Sequence, residues 1–180
     1  MRIFIAAEYM EMSHFLGSAA VKLKAMGWHV VRGSDVRTRS EMRYERHDVC
    51  LQRIDKVPYF LVLIGGLVGS MFRGKQRDYR RYHGLRTTHA EIRRSLDTKL
   101  PGKWFCFVKH EVLVACRLWE QNRSNRIFDW KPIDKRVFRW ITEIRKRGGD
   151  AYPFDDWDDL EMKLEQHLSP ELGRLNRKTR

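Results

Sequence analysis

The segment Tyr59-Phe-Leu-Val-Leu-Ile-Gly-Gly-Leu-Val-Gly-Ser70 decides the fold. Its apolar run from Tyr59 to Ile64 marks a strand buried on both faces, as in a mainly parallel sheet. Gly65, Gly66 and Gly69 follow, where the chain must turn and where a ligand can approach bare backbone.

Working outward toward the N-terminus, Val49 to Val57 reads as a short helix burying Val49, Cys50, Ile54 and Val57. Gly33 to His47 is a polar connection dense in charge, with Arg37, Arg39, Arg43 and Arg46; a loop of that length is either functional or poorly ordered. Trp28 to Val31 is a short strand. The stripe Phe15, Leu16, Ala19, Ala20, Leu23 and Met26 has helical spacing, with Ser13 as its cap and Gly27 as its stop. Arg2 to Ala6 is the first strand.

Toward the C-terminus, Met71 to Leu85 is basic and aromatic. Thr88 to Leu96 reads as a helix ended by Pro101-Gly102, and Trp104 to Val108 as a fourth buried strand. Glu111 to Glu120 is a helix and Asn122 to Pro132 a loop. Val137, Trp140, Ile141 and Ile144 define another helix, stopped at Gly148-Gly149. Ala151-Tyr152 is a brief fifth strand. Asp156 to Leu168 closes the domain, leaving 169–180 as a loose basic tail.

Strands alternating with helices predict an α/β, flavodoxin-like (Rossmannoid) three-layer sandwich. Its mainly parallel five-stranded sheet takes the order 2-1-3-4-5, and residues 1–168 form one domain. The topological switch then lies between the first and third strands, and ligands in such folds bind outside the strand C-termini there. Ala6, Ala7, Glu8 and Tyr9 line that crevice from one strand end, and Gly65, Gly66, Gly69 and Ser70 from the other.

Composition bounds the function classes. The chain has 180 residues, 42% of them hydrophobic, enough for one core without disulfides or metals. No apolar run reaches the ~18 residues of a membrane helix. The start at Ile3-Phe4-Ile5 leads us to expect no signal peptide and a cytoplasmic protein. Cys50, Cys106 and Cys116 sit in apolar contexts without Cys-x-x-Cys spacing and read as buried thiols. A formal net charge of +13 favours polyanionic partners, nucleic acid among them, although solubility alone also produces such an excess.

Four patterns bear on chemistry. Gly69-Ser-Met-Phe-Arg-Gly-Lys-Gln76 nearly spells a P-loop, but Gln76 cannot supply the hydroxyl that ligates magnesium, so the match is read as coincidence. Phe72 to Arg86 interleaves Arg73, Lys75, Arg77, Arg80, Arg81 and Arg86 with Phe72, Tyr79 and Tyr82. Cations for phosphates and rings for stacking suit single-stranded nucleic acid or one nucleotide, and a solvated basic loop explains them equally. Thr88-His-Ala-Glu91 opens a helix at the crevice, and Thr-x-x-Glu is also a capping box. His89-x-Glu91 has the spacing found in zinc deaminases, but no Pro-Cys-x-x-Cys follows, so no metal site is expected.

Together, Cys50, Ile54, Gly65, Gly69, Ser70, Thr88 and Glu91 fall on a known pattern. In it, a Cys-containing helix leads to a buried strand ending Gly-x-x-Tyr-Gly-Ser, and then to a helix beginning Ser-x-Thr-Glu-x-Glu. Over Arg2 to Val108 the chain resembles a bacterial domain family of unknown function, often N-terminal in STAND-type NTPases. That family is related to Toll/interleukin-receptor (TIR) domains and nucleoside 2-deoxyribosyltransferases. Departures are Ala6-Ala7-Glu8 for Ser-Ser-Thr, Pro58 for an Asp, Val68 for the Tyr and His89 for the first Glu. The resemblance implies cleavage of an N-glycosidic bond in NAD, a nucleotide or a nucleoside. It makes Glu91 the nucleophile or electrostatic stabiliser at the ribose, with Glu8 as a candidate second acid. It requires no cofactor, since NAD or another nucleotide would be substrate. Beside that implication, we expect Gly65 and Gly66 to admit the nucleotide, Arg73 or Lys75 to neutralise its phosphates, and Thr88 to contact it. A homo-oligomer is compatible with this reading. The alternative is a non-catalytic module that binds nucleotide, nucleic acid or protein through its basic face.

Overall fold

The computed structural model describes residues 1–98, 104–122 and 133–176. Strands β1 (Arg2–Ala7), β2 (His29–Arg32), β3 (Tyr59–Ile64), β4 (Trp104–Lys109) and β5 (Ala151–Phe154) form one parallel sheet. Their order is β2-β1-β3-β4-β5, the doubly wound order expected from the alternation of elements. The helices are α1 (Tyr9–Ala25), α2 (Arg46–Ile54), α3 (Thr87–Asp97), α4 (His110–Gln121), α5 (Lys135–Lys146) and α6 (Trp157–Asn176). A short 3-10 helix, Arg77–Tyr82, precedes α3.

Side chains along a strand alternate between faces, and both faces here are apolar. Ile3 and Ile5, Tyr59, Leu61 and Leu63, and Phe105 and Phe107 pack on α1 and α6 through Met12, Leu23, Leu160 and Leu164. Phe4 and Ala6, Phe60, Val62 and Ile64, and Cys106 and Val108 pack on α2, α3, α4 and α5. Phe4 pairs in register with Phe60, and their rings stack at 5.9 Å. Because β3 is the middle strand of five, every one of its residues is buried, which is why it reads as an unbroken apolar run. Each fully buried Leu or Phe is worth roughly 1.5–3 kcal/mol, and the two layers of core on either face are both built from such residues. Cys50, Cys106 and Cys116 are all buried, as their contexts predict.

Element boundaries move in two instructive places. Helix α1 begins at Tyr9, a full turn before Ser13, because Glu8 and not Ser13 caps it. Helix α6 runs on through Pro170 to Asn176, so 169–176 is helix and not part of a loose tail. Pro170 costs the helix about 3 kcal/mol in principle. The turn beyond it packs Leu172 on the α1–α6 layer, and Glu171 there pairs with Arg174 at 3.2 Å. Residues 177–180, Pro101-Gly102 and most of the connection placed at Asn122 to Pro132 lie outside the described residues. Among the described residues no helix is long and apolar enough to cross a membrane.

Candidate active site

Parallel strands followed by helices bring every helix N-terminus to one edge of the sheet. At that edge the ends of β1 and β2, the loop after β3 and the first turns of α1, α2 and α3 enclose a cavity of about 540 Å³. Ile5, Ala6, Leu16 and Cys50 supply apolar surface, and Ala7, Glu8, Gly69, Ser70, Thr87, Thr88 and Glu91 line the side nearest the switch point. Arg32, Gly33, Ser34, Arg46 and His47 complete the lining from β2 and α2.

Glu91 is the chemically distinctive group. Helix α3 starts at Thr87 with Arg86 as its cap residue, so Glu91 sits in the second turn, two positions too deep for a capping box. The capping explanation for Thr88-x-x-Glu91 is therefore replaced by an inward-facing carboxyl. Only 5% of Glu91 is exposed, and burial pushes its carboxyl up to about 8, with the neighbouring Cys50 thiol offsetting part of the rise. Burial and the neighbouring Glu91 push the Cys50 thiol up as well. Space for this pair exists because position 33 lacks a side chain. A Cβ on Gly33 would stand 2.7 Å from Cys50 Sγ and 3.4 Å from Glu91 Oε1.

Glu8 has a different occupation. Its two carboxylate oxygens accept from the N–H groups of Met10 and Glu11, each at 2.8 Å. Such a cap is worth about 1 kcal/mol and engages both oxygens, so Glu8 anchors the start of α1 at the cavity wall. Gly69 lies against it: its φ of +64° suits glycine, and a Cβ there would meet Glu8 Cγ at 3.1 Å.

The three glycines after β3 divide their duties. Gly69 lines the cavity with Ser70. Gly65 instead makes room for Glu11, whose carboxylate would lie about 2.5 Å from a Cβ at that position and accepts from the Leu67 N–H at 2.9 Å. Gly66 packs beneath Ile133, and its carbonyl accepts from the Asp134 N–H at 2.8 Å, tying the turn to α5. Ser70 is joined to the start of α3, with its carbonyl accepting from the Thr87 N–H at 2.9 Å. Thr88 is 5% exposed, and Ala6, Ala7 and Thr88 all line the cavity as expected. The Tyr9 side chain lies outside the described residues.

The basic segment after Ser70 does not reach the cavity. Met71 bridges Arg86 antiparallel, which closes the segment into a loop folded over α2 and α3. Its backbone donors are already used: Arg73 N–H goes to His47 Nδ1 at 2.6 Å, and Lys75 and Gln76 N–H go to Asp48 Oδ2 at 2.8 and 3.2 Å. Donors committed to side chains cannot cradle a phosphate, which is the structural reason the near P-loop is coincidental. Arg73 is exposed outside the cavity, and Lys75 pairs with Glu45 at 2.7 Å. Phe72, Tyr79 and Tyr82 are buried, and the two tyrosine hydroxyls donate to Asp55 and Asp97. The rings are core, so the stacking platform expected of them is absent from this surface.

His89 turns away from Glu91. It meets Glu143 of α5 at 3.1 Å and lies over Trp140, while Arg93 reaches the same carboxylate. His89 and Arg93 hold the Glu143 carboxyl below its ordinary range against the opposing effect of burial.

The sequence reading missed the β2–α2 side of the cavity. Gly33 to His47 is ordered around Arg53 of α2, whose guanidinium donates to the carbonyls of Arg32, Asp35 and Val36 and to both oxygens of Glu41. That pair is buried, and Arg53 with the Thr38 donors holds the Glu41 carboxyl down to about 2. The connection thereby becomes a wall that presents Arg32, Gly33 and Ser34 to the cavity. A usable signal existed: in the order 2-1-3, the end of β2 must border the same edge as the end of β1. A scan against protein-family models finds no match for this chain, and a search of curated proteins finds none either.

Proposed function

We propose that this domain breaks an N-glycosidic bond in a nucleotide or nucleoside, NAD included, with Glu91 acting at the ribosyl anomeric carbon. One observation carries the reading: a buried carboxyl faces a cavity at the ligand-binding edge of a doubly wound sheet.

In a hydrolysis the bond from C1′ to the base nitrogen breaks and its electron pair leaves with the base. A water oxygen bonds to C1′, and the proton it releases passes to the departing base or to solvent. Positive charge gathers on the sugar as the bond lengthens, and a carboxylate held in a poorly hydrated pocket stabilises that charge more than water would. With its midpoint at about 8, Glu91 is mostly protonated near pH 7, so the carboxylate is the minority form before substrate binds. The developing sugar cation favours ionisation of the same group. A transferase reaction differs only in the acceptor that replaces water.

Ala6 and Ala7 at the end of β1, and Gly69, Ser70 and Thr88 opposite, would hold the sugar. Gly65 and Gly66 support the turn without contacting the ligand, and the exposed Arg73 and paired Lys75 stand outside. The phosphate partner on the cavity lining is Arg46, which makes no ion pair among the described residues, whereas Arg32 is paired with Asp35 at 2.9 Å. The test is to incubate the protein with NAD, nucleosides and nucleoside monophosphates and to follow free base by chromatography. Release by the wild type, reduced at least about 100-fold in Glu91→Gln, is the expected result. Equal release from both proteins, or none from the wild type with any of these substrates, overturns the reading.

A further inference from the structure

The fold brings together two basic segments that the sequence keeps apart. The connection before α2 carries Arg37, Arg39 and Arg43, with Arg46 in the first turn of α2. The loop after β3 carries Arg73, Lys75, Arg77 and Arg80. They are joined by the ion pair from Lys75 to Glu45 at 2.7 Å and by the hydrogen bond from the Arg73 N–H to His47 at 2.6 Å. Between them lies a groove of about 600 Å³ lined by Arg37, Arg43 and Lys75 together with Glu45, Asp48 and Gln76. Arg39, Arg43, Arg46, Arg73, Arg77 and Arg80 are all exposed, and none makes an ion pair among the described residues.

Both walls of the groove are rigid for reasons already given. Arg53 and Glu41 fix one from beneath, and Asp48, Tyr79 and Tyr82 fix the other. The rim arginines crowd like charge along one face without acidic partners among the described residues, and a repeating anion relieves that repulsion. Other arginines of α3 and the ends of α5 are paired: Arg93 with Glu143, Arg136 with Asp134 and Arg147 with Asp97, although Lys135 and Arg139 of α5 are exposed and make no ion pair among the described residues.

We propose that this groove and its arginine rim bind the phosphate backbone of a polynucleotide strand. Arginine predominates over lysine, and its planar fork suits phosphate oxygens. The surface is concave, which fits a strand and not a flat bilayer. The rings of Phe72, Tyr79 and Tyr82 are buried, and the half-buried Tyr44 of the groove lining is covered by Arg43 at 4.9 Å, so contacts are mainly to phosphates and carry little preference for sequence. Arg46 and His47 also line the Glu91 cavity, so a strand lying in the groove passes its mouth. The inference does not depend on the reaction assigned to Glu91.

Fluorescence anisotropy with a short labelled RNA or DNA strand tests it. Engagement of about four phosphates predicts an affinity loss of about fiftyfold between about 50 and 200 mM salt. Arg43→Glu/Arg77→Glu should weaken binding at least about tenfold and flatten the salt slope, and the milder Arg73→Ser/Arg80→Ser should do the same to a smaller extent. Lys135→Glu/Arg139→Glu on α5 should leave binding unchanged, as should Glu91→Gln, with circular dichroism melts confirming that each variant is folded. No binding at about 50 mM salt, a salt-independent Kd, equal loss in the α5 variant, or tighter capture by phosphatidylserine vesicles than by the strand would overturn the proposal.

Discussion

The Cys50 thiol and the buried Glu91 carboxyl share a corner of the cavity that Gly33 leaves open. The thiol offsets only part of the rise that burial imposes on the carboxyl, so Glu91 is not held ionised. The outcome is a carboxyl that is ordered and largely neutral, which suits a group that must acquire charge only as a sugar cation forms opposite it.

Gly33→Ala tests that corner directly. The new Cβ would overlap Cys50 Sγ, and overpacking of this kind costs about 1–3 kcal/mol. Urea denaturation should show that loss in the single variant and recovery of most of it in Gly33→Ala/Cys50→Ala, where the sulfur is gone. Purely additive effects in the cycle would mean that the two residues do not compete for this space.

Glu91 also sets a pH dependence of stability with a definite sign. Its folded midpoint of about 8 lies above the ordinary value of 4.5, so the folded state holds the proton more tightly than the unfolded chain. Stability from this group is fully present below about 4.5 and declines as pH rises to about 8. Gln cannot ionise, so Glu91→Gln should gain on the wild type across that window, by on the order of 5 kcal/mol at its upper end. Melting curves of both proteins over the window would decide it, and a constant difference would show that Glu91 is not desolvated.

The same midpoint predicts the pH profile of turnover. If the carboxylate is the working form, kcat/KM should rise with pH and level off above about 8. A profile that falls over this range would assign Glu91 to proton donation instead.

The pairing of Arg53 with Glu41 predicts what holds the second wall of the cavity. Arg53→Ala leaves a buried carboxylate and three carbonyls without their donor, and loss of one partner of such a pair costs about 3–5 kcal/mol. Trypsin should then cut within Arg37 to Arg43 before the rest of the chain. Glu41 has its folded midpoint lowered to about 2, so its contribution is present above about 4.5 and is lost as pH falls through about 2. Glu41→Gln should therefore be less stable than the wild type at neutral pH and should converge with it in strong acid.

Asp48→Ala should loosen the other wall. The substitution removes the acceptor of the Lys75 and Gln76 N–H groups, at a cost of about 1–3 kcal/mol. Hydrogen exchange at those two amides should accelerate while the Thr87 and Ala90 amides, bonded to the carbonyls of Ser70 and Arg86, keep their protection.

Much of this protein was legible in its sequence, for a physical reason. A strand covered on both faces has to be apolar at every position, so Tyr59 to Ile64 announced a central strand, and the alternation around it gave the order 2-1-3-4-5. Gly27, with φ of +98°, ends α1 where a residue without a side chain is needed, and that too is a local requirement. The choice of Glu91 followed from resemblance and from its place at the start of a helix.

Tertiary structure decided the rest, because local pattern does not reveal which partner takes a polar group. Glu8 and Glu91 are both acids near helix starts, yet one spends its oxygens on backbone donors while the other is buried against a thiol. Phe72, Tyr79 and Tyr82 alternate with arginines as a stacking surface would, yet the loop turns them into the core and leaves only the cations outside. Gly33 was one glycine in a polar stretch until α2 placed Cys50 against it. What sequence alone determined was the layering, because burial on the sheet is written residue by residue. Which carboxyl faces a cavity, and which arginines meet across a groove, depends on segments distant in the chain that only the folded sheet brings together.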